Sequence, residues 1–164
     1  MYANRSIQEE PWMMDVRAET GDWRSEGLPE QALGRVMVAD DDGAMRDLLA
    51  DVLRRHGYQV VLARSGCELL ALLEDEMTDA EMPAADTVII SDIRMPKLDG
   101  LTVLGRLRSL GWQIPIIMIT AFGDAETHER ARSLGATATI DKPFDCADLL
   151  ATVRDQLAVD RCAT

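Results

Sequence analysis

Carboxylates, a hydroxyl and an ammonium group stand where short apolar segments of the chain end. Asp40 and Asp41 follow the run VMVA, Asp92 closes VIISD, Thr120 closes IIMIT, and Lys142 lies in IDKPFD. Three carboxylates and one lysine would form a negatively charged pocket that a hard divalent cation relieves, and magnesium prefers such oxygen ligands. An aspartate opposite a metal, a lysine and a hydroxyl also has the groups for phosphoryl transfer, in which the carboxylate attacks phosphorus.

Five apolar runs, rich in Val and Ile, predict the strands that would position these groups. They cover residues 35–39, 59–63, 87–91, 114–119 and 137–140. The runs lack strict alternation, which is typical of parallel strands covered on both faces. Between and after them, apolar residues at helical spacing predict five helices, near 45–53, 67–76, 101–110, 125–134 and 149–157. This alternation predicts a doubly wound α/β sheet, in which groups that follow the strands meet at one edge.

The composition disfavours two classes of partner. A net charge of −12 argues against a nucleic-acid surface, which needs a basic patch, and against docking on anionic lipid. No apolar run approaches the length of about 20 residues that spans a bilayer. The first residues, MYANRSIQEEPW, lack the layout of a signal peptide. Three widely spaced cysteines, Cys67, Cys146 and Cys162, indicate neither a disulfide framework nor a zinc site. We therefore expect a cytoplasmic protein.

Residues 1–34 differ from the rest of the chain. They contain Pro, Gly and many charged residues without a sustained helical or strand period, which predicts a mobile N-terminal extension. Trp12 and Trp23 are exceptions within it, because large aromatic side chains usually pack against something. The regular part of the chain predicts one domain over residues 35–160, followed by a short tail over 161–164.

Four segments resemble the conserved blocks of the receiver domains of bacterial two-component response regulators. They are VADDDGAMR (38–46), SDIRMPKLDG (91–100), ITA (119–121) and DKPF (141–144). The resemblance covers residues 35–160 and implies a flavodoxin-like, five-stranded parallel sheet of order 2-1-3-4-5, flanked by five helices. Because no further domain is predicted after the fifth helix, we expect a stand-alone receiver, similar to the chemotaxis regulators.

The resemblance also implies roles for the acidic residues. Asp92 falls on the phosphoacceptor of the family and would also contact the metal. Asp40 and Asp41 fall on the acidic pair that holds magnesium, with Asp41 the more direct ligand, and the backbone carbonyl of Arg94 completes the protein ligands. Asp42 lies outside this pair, and we expect it to cap the first helix, whose positive end favours an anion.

Thr120 matches the family's hydroxyl that meets the phosphoryl group, and Lys142 matches the ammonium that pairs with it. The resemblance implies a cis bond between Lys142 and Pro143. At position 139 the family usually has an aromatic residue that acts as a switch, whereas this chain has Thr139. Two residues after Asp92 and Thr120, the family has side chains that modulate self-dephosphorylation. In this chain, these two positions hold Arg94 and Phe122, both bulky enough to shield an acyl phosphate.

The resemblance thus predicts a magnesium-dependent phosphoacceptor that receives its phosphoryl group from a sensor histidine kinase or a histidine phosphotransfer protein. It would signal by contact with a downstream protein and would bind neither nucleic acid nor membrane. We expect no enzymatic activity beyond self-phosphorylation from a phosphodonor and self-dephosphorylation. His56 and His128 are expected to face solvent, so that the chain receives phosphoryl groups and does not originate them.

Two alternatives remain at this point. Asp40-x-Asp42-Gly43 after a first strand also resembles the opening of haloacid-dehalogenase-type phosphatases, in which Asp40 would be the nucleophile. The block over 91–100 and the small size of the chain argue against this alternative. The second is a binding module with a receiver fold that signals without phosphorylation, which the complete set of acids, threonine and lysine disfavours.

Overall fold

The structure, a computed structural model, describes residues 32–77 and 86–161. The predicted extension over 1–34 and the tail over 161–164 lie almost wholly outside these residues, so the division of the chain into segments stays a prediction. Among the described residues, no helix combines the length and the apolar character needed to cross a bilayer.

In the described residues, five strands alternate with five helices, as the apolar pattern predicts. In chain order the elements are β1 (Arg35–Ala39), α1 (Gly43–Arg55), β2 (Gln59–Ala63), α2 (Gly66–Met77), β3 (Thr87–Asp92), α3 (Gly100–Ser109), β4 (Ile116–Thr120), α4 (Ala125–Ser133), β5 (Ala138–Asp141) and α5 (Cys146–Arg161). β4 begins two residues later than predicted, directly after Pro115, which has no N–H to donate to a strand ladder.

The five strands form one parallel sheet in the order β2-β1-β3-β4-β5, which confirms the expected topology. Ala39 of β1 pairs with Ser91 of β3, and Asp92 pairs with Ile119 of β4. Thr120 in turn pairs with Asp141 of β5. The carboxyl ends of these four strands therefore lie at one edge of the sheet, level with one another to within about a residue.

Both faces of the sheet are buried, which explains the missing alternation in the strand sequences. On one face, Met37, Ile89 and Met118 pack against leucines of α2 and α3. On the other face, Val38 and Ile90 pack against apolar side chains of α1 and α5. The edge that carries the polar groups is thus supported by a core on each side.

Aspartates start three of the helices. Asp42 caps α1, since its side chain accepts the N–H groups of Ala44 and Met45, as expected. Asp99 and Asp124 cap α3 and α4 in the same way. A carboxylate at a helix N-terminus satisfies unpaired N–H groups and interacts favourably with the helix dipole.

The start of α3 lies against the end of β3 so closely that only glycine fits. A Cβ atom on Gly100 would lie 2.2 Å from the backbone oxygen of Asp92 and 2.8 Å from Cε of Met118. On the same helix, a Cβ on Gly105 would meet no atom closer than Cδ2 of Leu134, at 3.9 Å. The close approach at Gly100 therefore serves to hold α3 beside the predicted phosphoacceptor.

We predict opposite effects of the same substitution at these two glycines. Gly100→Ala should lower the free energy of unfolding by about 1–3 kcal/mol, the usual cost of overpacking. Gly105→Ala should raise it by about 0.5–1 kcal/mol, because alanine is the better helix former. Urea unfolding of both variants measures this. Equal stability of Gly100→Ala and wild type would contradict the close packing of α3 on β3.

Candidate functional site

The carboxylates of Asp40, Asp41 and Asp92 converge at the carboxyl edge of the sheet, where each offers an oxygen within 4.8 Å of the others. Asp40 follows β1 and Asp92 ends β3, so the parallel pairing of these strands places them side by side. Asp40 and Asp92 are buried, with 2% and 7% of their surface exposed, whereas Asp41 is exposed. The cluster is therefore open to solvent on the Asp41 side.

Lys142, which follows β5, reaches across this edge to two of the carboxylates. Its Nζ lies 2.9 Å from Oδ2 of Asp40 and 3.1 Å from Oδ1 of Asp92. The other oxygen of Asp40 accepts the backbone N–H of Asp42 at 2.9 Å. The bond between Lys142 and Pro143 is cis, as the family resemblance implies.

Burial and nearby charges both shift the pKa values of Asp92 and Lys142. Burial is the largest cause of the raised pKa of Asp92; Lys142 acts to lower this pKa, and the like charges of Asp40 and Asp41 add to the rise. Burial also tends to lower the pKa of Lys142, but its hydrogen bond to Asp40 and the charge of Asp92 outweigh that effect and raise it. The lysine therefore stays protonated at neutral pH, beside a carboxylate whose ionised form is disfavoured.

Thr120 ends β4 one residue beyond the partner of Asp92, and its side chain is buried. Its Oγ1 accepts the N–H of Phe122 at 3.0 Å, and its backbone oxygen accepts the N–H of Lys142 at 2.7 Å. The hydroxyl thus ties the end of β4 to the loop that follows. The backbone of Thr120 ties it to the segment that carries the lysine.

Arg94 and Phe122, two residues after Asp92 and Thr120, contact each other. The guanidinium of Arg94 lies over the ring of Phe122, with Cζ 4.2 Å from the ring centroid, a distance typical of a cation–π contact. Phe122 remains 60% exposed. The sequence indicated two bulky side chains at these positions, but it did not indicate that they contact each other.

Thr139 lies half-buried in β5 and lines an open groove between β5 and α4, together with Gly123, His128 and Asp141. His128 keeps 37% of its side-chain surface exposed, in line with the expectation, and its Nε2 also lies 2.8 Å from Oδ1 of Asp141. The helical pattern could not show this pair, since it forms only when β5 is placed beside α4. His56, as expected, is exposed.

Sequence reasoning assigned no role to Arg46, which contacts the site directly. Its Nη1 donates a hydrogen bond of 2.7 Å to the backbone oxygen of Asp40. The residue lies within the segment VADDDGAMR, in the first turn of α1. Its position on the helical face next to the acidic residues was the only available signal.

The pKa of Asp92 predicts a change of stability with pH. Because the folded state raises this pKa, ionised Asp92 destabilises the fold at neutral pH, and the penalty disappears as the pH falls through the raised pKa towards 3.8, the ordinary value. Without metal, Asp92→Asn should therefore melt above wild type at pH 7, and the difference should shrink near pH 4. Asp47→Asn removes the same charge from an exposed position of α1 and should leave the melting temperature nearly unchanged. An equal rise of the melting temperature in the two variants would contradict the claim that burial of ionised Asp92 destabilises the fold.

Comparisons with known proteins identify the family. Residues 36–154 match the response regulator receiver domain family. The response regulator MprA of Mycobacterium sp. strain KMS is 38% identical over 120 residues, which cover 73% of this chain and 49% of that protein. The chain spans about half the length of the curated relatives it matches.

Solved structures show the same likeness. A CheY-like receiver domain protein from Methanospirillum hungatei JF-1 is 27% identical with a TM-score of 0.71, over 81% of this chain and 100% of that one. The chemotaxis protein CheY4 of Vibrio cholerae is 30% identical with a TM-score of 0.63, over 76% of this chain and 99% of that one. With the sheet order and the match over 36–154, these similarities show that the chain belongs to the response regulator receiver domain family.

Proposed function

We propose that this chain is a phosphoacceptor whose Asp92 takes a phosphoryl group from a sensor histidine kinase or a histidine phosphotransfer protein. The observation that carries the proposal is the convergence of Asp40, Asp41, Asp92 and Lys142 at the carboxyl edge of the sheet. Membership of the receiver family, whose members are generally signalling modules of two-component systems, favours this function over the phosphatase alternative. A cytoplasmic location and the stand-alone organisation stay predictions.

The proposed reaction moves a phosphoryl group from a histidine of the donor to Asp92. A carboxylate oxygen of Asp92 attacks phosphorus, a P–O bond forms, and the P–N bond to the donor's imidazole breaks. The imidazole leaves and takes a proton from solvent. Protonated Lys142, already 3.1 Å from Asp92, then pairs with the phosphoryl oxygens, and the hydroxyl of Thr120 donates a hydrogen bond to them. Later attack of water on phosphorus breaks the P–O bond, releases inorganic phosphate and restores the carboxylate.

Receiver domains bind magnesium at an acidic pocket, and the donor set of this chain fits that ion. Asp41, Asp40 and Asp92 would hold it together with the backbone carbonyl of Arg94. Both oxygens of Asp40 already accept hydrogen bonds, from Asp42 and Lys142, whereas Asp41 is exposed, which supports Asp41 as the more direct ligand. When bound, the metal neutralises charge on the oxygens of the transferred group.

Arg94 and Phe122 would set the lifetime of the phosphorylated state. The stacked side chains of Arg94 and Phe122 follow Asp92 and Thr120 by two residues, and from there they would hinder the approach of water to phosphorus. We propose that this pair slows self-dephosphorylation. The signal would reach a downstream protein as a shift of population on the face formed by α4, β5 and α5.

Thr139 limits how the signal can travel to that face. A threonine side chain is too small to replace the aromatic switch of the family, and its β-branch restricts its rotamers. Thr120, in contrast, is hydrogen-bonded directly to the loop after β4 through the N–H of Phe122. We therefore propose that coupling runs mainly through Thr120 and this loop, and only weakly through β5.

The first test is phosphorylation itself. Incubation with acetyl phosphate and magnesium should add one phosphoryl group to wild type and none to Asp92→Asn, as measured by intact mass. Wild type that gains no phosphoryl group would favour the binding module that acts without phosphorylation. Equal labelling of the variant, or turnover of phosphatase substrates that depends on Asp40, would contradict the assignment of Asp92.

The second test follows the signal. A beryllofluoride mimic of the phosphoryl group should change amide hydrogen exchange more strongly in residues 121–130 than in residues 137–141. Asp92→Asn, which cannot hold the mimic, should show no change in either segment. If the strand around Thr139 responds as strongly as the loop does, coupling through β5 operates without the aromatic residue, and the proposed route is wrong.

A further inference from the structure

We propose that Arg46 is a positioning residue that orients the turn between Asp40 and Asp41 and thereby raises the affinity of the site for magnesium. This inference rests on the proposed function, since it concerns the same metal site. The hydrogen bond of 2.7 Å from Nη1 of Arg46 to the backbone oxygen of Asp40 carries it. Arg46 is half-buried, so the bond is partly shielded from solvent.

The oxygen that Arg46 holds belongs to the peptide unit that joins Asp40 to Asp41. This unit is planar, so fixing its carbonyl also fixes the direction in which the chain enters Asp41. That direction places the Cα of Asp41 and so narrows the positions that its carboxylate can reach. Arg46 thus acts on the side chain of Asp41 through the backbone.

Asp41 depends on this backbone more than its neighbours do. Asp40 is held by Asp42 and Lys142, and Asp92 is held by Lys142. None of the hydrogen bonds between described residues holds the carboxylate of Asp41, although an oxygen of it lies within 4.8 Å of those of Asp40 and Asp92. The predicted direct ligand is therefore placed by its main chain, which Arg46 restrains.

A positioning role and a purely electrostatic role of Arg46 predict opposite changes in magnesium affinity when Arg46 is lost. A positive charge near a cation site repels the cation, so by Coulomb's law alone the loss of Arg46 should tighten magnesium binding. If Arg46 holds the turn, its loss should weaken binding, because the ligands must then be ordered when the metal binds. Outer partners of metal ligands typically contribute about 10–100-fold in affinity.

The experiment is titration calorimetry of the full chain with magnesium chloride alone. Arg46→Met and Arg46→Gln should bind magnesium about 10–100-fold more weakly than wild type. Arg46→Lys, which keeps one donor and the charge, should lie closer to wild type than either. Arg54→Met removes the same charge from an exposed position of α1 and should bind as wild type does. Melting in EDTA checks that each variant is folded, and Arg46→Gln carries the test if Arg46→Met is not.

Unchanged or tighter binding in the folded neutral variants would overturn the positioning role. Equal weakening in Arg54→Met would overturn it too, because the effect would then not depend on the hydrogen bond from Arg46 to Asp40. Wild type that takes up no magnesium would overturn the proposed metal site and this inference with it. The behaviour of wild type therefore separates failure of the proposed function from failure of the role of Arg46.

Discussion

Parallel pairing of β1 with β3 places Asp40 and Asp92 next to each other, because Ala39 and Ser91, the residues just before them, are partners in the ladder. Both carboxylates are buried at the end of the sheet, where neither is fully solvated and each repels the other. Lys142 reaches both of them from the end of β5 and offsets part of this repulsion. The sheet order, which brings β5 to the same edge two strands away from β3, is therefore a condition for the site to exist.

The three carboxylates of the site still repel one another even with Lys142 in place. The raised pKa of Asp92 records that its ionised form is disfavoured, and exposed Asp41 adds a further negative charge. A divalent cation would relieve this imbalance, and so would a neutral residue at position 92. Two buried cores, one on each face of the sheet, provide the stability that lets the fold keep such an edge.

Two further features lie around the charged edge of the sheet. Arg94 and Phe122, which follow Asp92 and Thr120 by two residues, stack on each other. At the far edge of the sheet, Thr139 lines an open groove, and the pair formed by His128 and Asp141 bridges α4 and β5 beside it. Through Thr120, Phe122 and His128, the segment after β4 is thus tied to β4, to Arg94 and to β5.

Local pattern alone determined the strands, the helices and the aspartate cap of α1, because periodicity and helix capping depend on neighbours within a few residues. It also predicted that polar groups would gather at one edge, since parallel strands end together. Only the tertiary structure decided which groups touch. Lys142 pairs with Asp40 across 102 positions of sequence, and His128 meets Asp141 only because β5 packs beside α4. Such contacts depend on strand order and helix placement, which are set by burial of the whole core and not by any local spacing.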